Sequence, residues 1–262
     1  MNIKKILRQL KELKKLGVVG IKKSLEDEGA SFKEIIIMRK ITKKTNLKLN
    51  VKIGGCEAKN DIYFCKDIKT DSIVAPMVES SYALKKFLQI SKMGPKIPLL
   101  INVETITAIQ NLSSMINNKK EFKNLSGIVL GRSDLAGSLG LEKKDVNSKK
   151  IFNLLLKVFK KIKRQKKGNF IIKMGGSLTR ESHDFIAKLY EKKLLDSIET
   201  RNVEIRLNKK ILSNLENIIE KAFKFEIEWL KEKLNLIKSK NRNQLKYSQD
   251  NLRIMEIKKR GK

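Results

Sequence analysis

Apolar residues along this chain fall into two alternating patterns, one with the spacing of an amphipathic helix and one typical of a buried strand. The first amphipathic stretch, 3–16, carries apolar side chains at intervals of three and four residues, which places them on one helix face. A short apolar run at 18–21 follows, and a run of that length predicts a strand. Long amphipathic stretches and short apolar runs keep alternating to about residue 238.

This alternation predicts an α/β fold with seven or eight strands. The strands are expected at 18–21, 47–53, 72–78, 99–104, 127–130, 169–174, 195–199 and 203–207. Strands separated by helices imply parallel pairing, and about eight such units in about 250 residues match the size of a (β/α)8 TIM barrel. A doubly wound open sheet is the alternative, but no GxGxxG motif follows the first strand.

The chain is expected to form one domain, because no linker rich in Pro, Ser or Gly divides it. The barrel domain is predicted over 1–240, with an N-terminal amphipathic helix at 3–16 and a long C-terminal helix at 210–238. The remaining residues, 241–262, are polar and basic and predict a frayed or disordered tail.

Composition narrows the possible locations and site chemistries. No apolar run approaches the roughly 18 residues of a membrane span. The first residues lack the features of a secretory signal, so we expect a cytoplasmic protein that does not associate with a membrane. Two cysteines are too few for a disulfide framework or a four-cysteine zinc site, and the single His183 excludes a site with two or three histidine ligands.

The strongly basic charge is a weak guide to the partner. The chain has 59 Lys and Arg against 28 Asp and Glu, a formal net charge of +31. Of these basic residues 49 are lysine and only 10 are arginine, and aromatic residues make up 6%. Nucleic-acid readers rely on arginine and on aromatic stacking, so the composition does not favour nucleic acid as the partner.

Candidate chemistry lies where the predicted strands end, because active sites of such barrels occupy the carboxyl ends of the strands. In the strand at 99–104, the period of two places Leu100, Asn102 and Glu104 on one face. The next strand runs into a glycine-rich loop that supplies Asp134. Two carboxylates on consecutive strand ends, completed by water and substrate, suit Mg²⁺ or Mn²⁺.

Three segments resemble the HpcH/HpaI aldolase and citrate lyase β-subunit family. They are 75–80 (APMVES), 102–105 (NVET) and 131–140 (GRSDLAGSLG), within a resemblance that covers about residues 17–206. The resemblance implies a carbon–carbon lyase that acts on a 2-oxo acid or a CoA ester with a divalent metal, and that forms a homo-oligomer. It also implies that Glu104 and Asp134 are metal ligands.

The resemblance assigns further roles, with two departures from the family pattern. Gly131, Arg132 and Ser133 match the loop that holds the substrate carboxylate, Glu79 stands near it, and Asn102 falls where the aldolases have a glutamine. Lys52 replaces a family arginine that contacts the substrate oxygen. No histidine base is present in 22–29, so Glu26 or Glu28 is expected to act as the base.

Two other functions remain open at this point. A lysine at a strand end, Lys22, Lys52 or Lys173, is a candidate for a Schiff-base aldolase, because burial can lower the pKa of an amine. A non-catalytic barrel that uses its basic charge to bind an anionic partner is the other alternative.

Overall fold

Eight strands close into a barrel, in chain order, in the computed structural model of the protein, which describes residues 2–165, 169–238 and 244–260. The predicted TIM-type α/β barrel is therefore confirmed. Within the described residues the strands are β1 Val18–Ser24, β2 Lys48–Lys52, β3 Ser72–Ala75, β4 Leu99–Val103, β5 Gly127–Gly131, β6 Ile171–Gly175, β7 Ser197–Glu199 and β8 Val203–Arg206.

The eighth strand runs against the other seven. Strands β1 to β7 pair in parallel, whereas β8 is antiparallel to both β7 and β1. The prediction of parallel pairing throughout is wrong for β8, because only residues 200–202 connect it to β7. A parallel crossover needs a dozen or more residues, whereas three residues suffice for a hairpin. This hairpin turn lies at the carboxyl end of β7, where the site was predicted.

Helices surround the barrel and bury their apolar faces against it. The first, α1 Ile3–Lys15, buries Ile6, Leu10 and Leu13, as its spacing predicts. No helix in the described ranges is both long and apolar enough to cross a bilayer. The others are α2 Phe32–Thr45, α3 Lys59–Asp67, α4 Ser81–Ser91, α5 Ile106–Gln110, α6 Leu112–Asn117, α7 Lys119–Phe122, α8 Arg132–Ser138, α9 Lys149–Gln165, α10 His183–Glu191, α11 Lys209–Leu212, α12 Leu215–Lys238 and α13 Gln244–Arg260.

Side chains fill the inside of the barrel and leave space at one end. Val74, Leu100 and Val129 form a small apolar cluster there. A polar network extends from Ser72 through Asn50 and Glu204 to Lys173. Ser72 Oγ donates to Asn50 Oδ1 at 2.6 Å, Asn50 Nδ2 to Glu204 Oε2 at 2.6 Å, and Lys173 Nζ to Glu204 Oε2 at 2.7 Å. Because each buried polar group here has a partner, the barrel can hold charged residues.

The predicted C-terminal region differs from the structure in two ways. The helix predicted at 210–238 is divided into α11 and α12. The segment expected to be a disordered tail contains α13, in which Ile254 and Ile257 are buried three residues apart. The buried Asp250 of the same helix lies 3.3 Å from Lys233 Nζ of α12. This apolar face and ion pair explain why α13 packs back on the barrel, while 241–243 and 261–262 lie outside the described residues.

Candidate active site

A cavity of about 460 Å³ opens at the carboxyl ends of β1 to β7. Its volume is in the range of small-molecule sites. Acidic side chains outnumber basic ones in its lining. The acidic residues are Glu26, Asp27, Glu104, Asp134, Glu199, Glu226 and Glu256, and the basic ones are Lys22, Lys52, Lys143 and Arg201. This excess of carboxylates favours a cation in the cavity.

Glu104 is a buried carboxylate of the cavity, and it follows directly after β4. Its Oε2 accepts a hydrogen bond from Asn102 Nδ2 at 2.8 Å, and its Oε1 accepts one from the backbone of Met77 at 3.1 Å. Burial raises the pKa of Glu104, and the nearby charge of Asp134 adds to this, although Lys52 and the two hydrogen bonds oppose it. A cation between Glu104 and Asp134 would relieve that repulsion.

Lys52 brings a positive charge to the same place from the end of β2. Its Nζ lies 3.2 Å from Glu26 Oε2 and 3.7 Å from Glu104 Oε1. Burial acts to lower the pKa of Lys52, but the carboxylates of Glu104 and Glu26 outweigh it and the pKa is raised. The pKa of Lys173 is also raised, because the effect of the Glu199 and Glu204 carboxylates outweighs the lowering caused by burial. A Schiff-base lysine needs the opposite shift, so neither amine suits that chemistry.

The loop after β5 places Asp134 and Ser133 at the cavity. Asp134 lies in the first turn of α8, and Ser133 Oγ is 2.8 Å from Ser177 Oγ in the loop after β6. Gly131 allows Glu104 to lie against the strand, because a Cβ at Gly131 would be 2.6 Å from Glu104 Oε2. A side chain at Gly176 would meet the backbone of Ser133 at 2.5 Å. The absence of a side chain at Gly131 and at Gly176 therefore lets the ends of β4, β5 and β6 pack closely against one another.

Two residues that line the cavity hold a left-handed backbone conformation. Met77 has a φ of 49° and Ser177 a φ of 48°, values that are uncommon for residues other than glycine. The backbone of Met77 donates to Glu104. Such conformations cluster at functional sites, where surrounding contacts hold them in place.

Three of the residues predicted for the site lie outside the cavity lining. Glu28 is buried and pairs with Lys23 and with the side-chain amide of Asn202, so it cannot act as a base in the cavity. Glu79 accepts a hydrogen bond from Thr105 Oγ1 and ties two loops together.

Arg132 is the third of these residues, and its side chain is fully buried. It turns away from the cavity and donates to the carbonyls of Gly175 at 3.3 Å and Gly176 at 2.9 Å, and to Asn147 Oδ1 at 2.6 Å. The predicted residues that do line the cavity are Glu26, Lys52, Asn102, Glu104, Gly131, Ser133 and Asp134.

The structure adds cavity residues that were not predicted as site residues. Glu199 ends β7 and lies 3.3 Å from Lys22 Nζ and 3.5 Å from Lys173 Nζ. The strand-end rule that identified Glu104 would have identified Glu199 as well. Glu226 reaches the cavity from α12, and no sequence pattern distinguishes it from the other glutamates of that helix.

The donor set fits a divalent cation of the Mg²⁺ type. Glu104 and Asp134 offer carboxylate oxygens, the ligands that such ions prefer, and the buried Oδ1 of Asn102 beside them has no hydrogen-bond partner among the described residues. The described part of the chain contains no group of three or more Asp, Glu, His or Cys side chains arranged around one point. The protein would therefore supply two carboxylates, with water and substrate completing the shell.

Comparisons with known proteins give a family from a sequence model and a fold from solved structures. A sequence model of the HpcH/HpaI aldolase/citrate lyase family matches residues 33–171. A search of curated proteins returns no match. Among solved structures, an HpcH/HpaI aldolase from Desulfitobacterium hafniense DCB-2 is 14% identical with a TM-score of 0.56, and the match covers 68% of this chain and 75% of that one.

Two further structures are similar in fold. An HpcH/HpaI aldolase/citrate lyase family protein from Burkholderia cenocepacia J2315 is 11% identical with a TM-score of 0.59, covering 74% of this chain and 82% of the other. The citrate synthase SbnG is 14% identical with a TM-score of 0.61, covering 74% and 81%. At these identities the likeness concerns the fold alone.

Proposed function

Because this chain belongs to the HpcH/HpaI aldolase/citrate lyase family, and is thus a carbon–carbon lyase, we propose that it acts on a small 2-oxo acid through an enolate, with Mg²⁺ or Mn²⁺ held by Glu104 and Asp134. The observation that carries the proposal is the pair of carboxylates on consecutive strand ends, with Lys52 Nζ 3.7 Å from Glu104 Oε1. Opposite charges brought together in a partly closed cavity suit the stabilisation of an oxyanion.

The divalent cation would act as a Lewis acid at the 2-oxo group, where negative charge develops when the enolate forms. The protein's own groups prepare the site for this. Asn102 and the backbone of Met77 fix both oxygens of Glu104, so the carboxylate is oriented before any ligand arrives. Lys52 adds a positive charge on the same side, and Glu26 holds its ammonium group at 3.2 Å.

The size of the cavity favours a free acid over a CoA ester. A volume of about 460 Å³ accommodates a hydroxy-oxo acid of several carbons but not the nucleotide and pantetheine parts of CoA. A CoA ester could place only its acyl end there. The substrate class we propose is therefore a small 2-oxo acid, and CoA esters form the comparison series in the test.

The test is exchange of the methyl protons of pyruvate with deuterated water, followed by NMR with Mg²⁺, with Mn²⁺ and with chelator. The expected result is exchange that requires the cation. Glu104→Gln and Asp134→Asn should each reduce exchange by about 100-fold or more, because each removes one of two charged ligands. Glu142→Gln is the matched control, since Glu142 is exposed, lies outside the cavity lining and pairs with Lys144 at 2.8 Å.

Two results would contradict the proposal. Exchange that persists in the presence of chelator would show that enolate formation does not require the cation. Absence of exchange with either cation, combined with cleavage of CoA esters, would reject 2-oxo acids as the substrate class.

A further inference from the structure

Glu226 of α12 is a buried carboxyl group that the proposed function does not use. Its side chain is fully buried, yet the residue lines the cavity. Its Oε1 accepts hydrogen bonds from Thr200 Oγ1 at 2.6 Å and from the backbone N–H of Asn202 at 2.6 Å. Both donors belong to the β7–β8 turn, so one oxygen of Glu226 holds that turn.

The second oxygen of Glu226 has no such role. Oε2 is buried and has no hydrogen-bond partner in the described structure. Holding the turn requires only one acceptor, which a glutamine would supply equally well. A buried polar atom without a partner is destabilising, so turn stabilisation alone does not explain an acid at this position.

The position of Glu226 suits a proton carrier. In a closed barrel of eight strands in chain order, β8 lies opposite β4. Glu226 binds the turn that leads into β8, and Glu104 follows β4, so the two residues line the cavity from opposite sides. A substrate whose 2-oxo end lies at Glu104 would extend its other end towards Glu226.

We infer that Glu226 is the acid and base that exchanges a proton with the hydroxyl group formed or consumed at the bond that is cleaved. This inference rests on the proposed function. In cleavage, Oε2 of the carboxylate accepts the hydroxyl proton, the O–H electron pair becomes the second bond of the aldehyde carbonyl, and the carbon–carbon bond breaks. Its electron pair passes into the enolate, which solvent protonates. In synthesis, the neutral acid returns the proton to the new alkoxide.

The environment of Glu226 supports this role. Burial raises the pKa of Glu226, and the charge of Glu28 adds to it, against the hydrogen bonds of Thr200 and Asn202 and the charge of Arg201. A general acid works best when its pKa lies near the working pH. Glu26 is the competing carboxylate in the cavity, but its Oε2 already faces the ammonium group of Lys52 at 3.2 Å.

The experiment compares two substrates that give the same enolate. Cleavage of 4-hydroxy-2-oxopentanoate needs removal of a hydroxyl proton, whereas decarboxylation of oxaloacetate does not. Glu226→Gln should reduce kcat for cleavage by about 100-fold or more, with KM nearly unchanged, and should leave decarboxylation within about twofold. The glutamine keeps the acceptor for Thr200 and Asn202, and its folding is checked by circular dichroism and thermal unfolding.

Glu220→Gln is the matched control, because Glu220 lies on the same helix as Glu226, outside the cavity lining, and pairs with Lys224 Nζ at 2.7 Å. It should change neither reaction by more than about twofold. Glu226→Asp gives a second acid variant, which should recover part of the cleavage activity that the glutamine loses.

Three outcomes would overturn the inference. They are Glu226→Gln retaining both reactions, Glu226→Gln losing both while folded, and a selective loss of cleavage in Glu26→Gln but not in Glu226→Gln. Failure of the proposed function looks different, because the unmodified protein would then show neither reaction with Mg²⁺ or Mn²⁺.

Discussion

Replacing Gly131 by alanine should disable the site by moving one carboxylate, Glu104. The backbone of Gly131 has a φ of −93° and a ψ of 98°, which alanine adopts without strain. The added methyl group would nevertheless lie 2.6 Å from Glu104 Oε2 and 2.8 Å from Glu104 Cβ. Because the second contact is close to the backbone of Glu104, rotation of the side chain cannot relieve it.

The expected size of the effect follows from these distances. Ordinary van der Waals contact begins at 3.4 Å, so Glu104 and the methyl group must separate by about 0.8 Å. A misplacement of about 1 Å in a catalytic group can lower the rate about 100-fold. Overpacking of this kind lowers the free energy of unfolding by about 1–3 kcal/mol.

The assay pairs pyruvate proton exchange with urea unfolding, for Gly131→Ala and for Gly137→Ala. Gly137 lies in α8, the helix that directly follows Gly131, and lines the same cavity, but a methyl group there meets nothing within 4 Å. The control should keep its exchange rate, whereas Gly131→Ala should lose it while remaining folded. Full exchange in folded Gly131→Ala would refute the claim that the position of Glu104 limits the chemistry.

Three further predictions concern groups around the cavity. Arg132→Met should lower the free energy of unfolding by about 3 kcal/mol, measured in urea, because buried carbonyls lose a charged donor. The free energy of unfolding of Glu226→Gln should rise relative to that of the parent as pH increases above about 4.3. The pKa of Glu226 is raised in the folded state, so the unfolded parent chain releases this proton at a lower pH than the folded parent does. A difference in the free energy of unfolding that stays constant up to about pH 8 would contradict this. Borohydride with pyruvate should leave Lys52 unmodified by mass spectrometry, because the pKa of this amine is raised and the amine stays protonated.

The sequence predicts the strands better than their directions. Along β4 and the residue that follows it, the period of two correctly places Asn102 and Glu104 on the inner face, because strand geometry fixes the side of every second residue. An apolar run carries no information about direction, so β8 is predicted as a strand but with the wrong pairing. The available signal was the three-residue connection at 200–202, which is too short for a helix.

The site divides in the same way. Residues at strand ends are predictable, since the barrel brings all these ends together, and Glu104 and Asp134 accordingly share one cavity. The orientation of the Arg132 side chain depends on carbonyl groups more than forty residues away along the chain. The position of Glu226 at the cavity depends on the path of α12 across the barrel. Such long-range contacts have no counterpart in local spacing.

During folding, β8 meets its two neighbours at different times. Its pairing with β7 closes a three-residue turn, whereas its pairing with β1 joins Val203 to Ile21 across most of the chain and has an irregular register between Val18 and Gly20. Contacts over such separations form slowly, so we expect the β7–β8 hairpin to form early and the β1–β8 pairing to close the barrel last. Until then β1 and β8 are open edges, and unpaired strand edges promote aggregation.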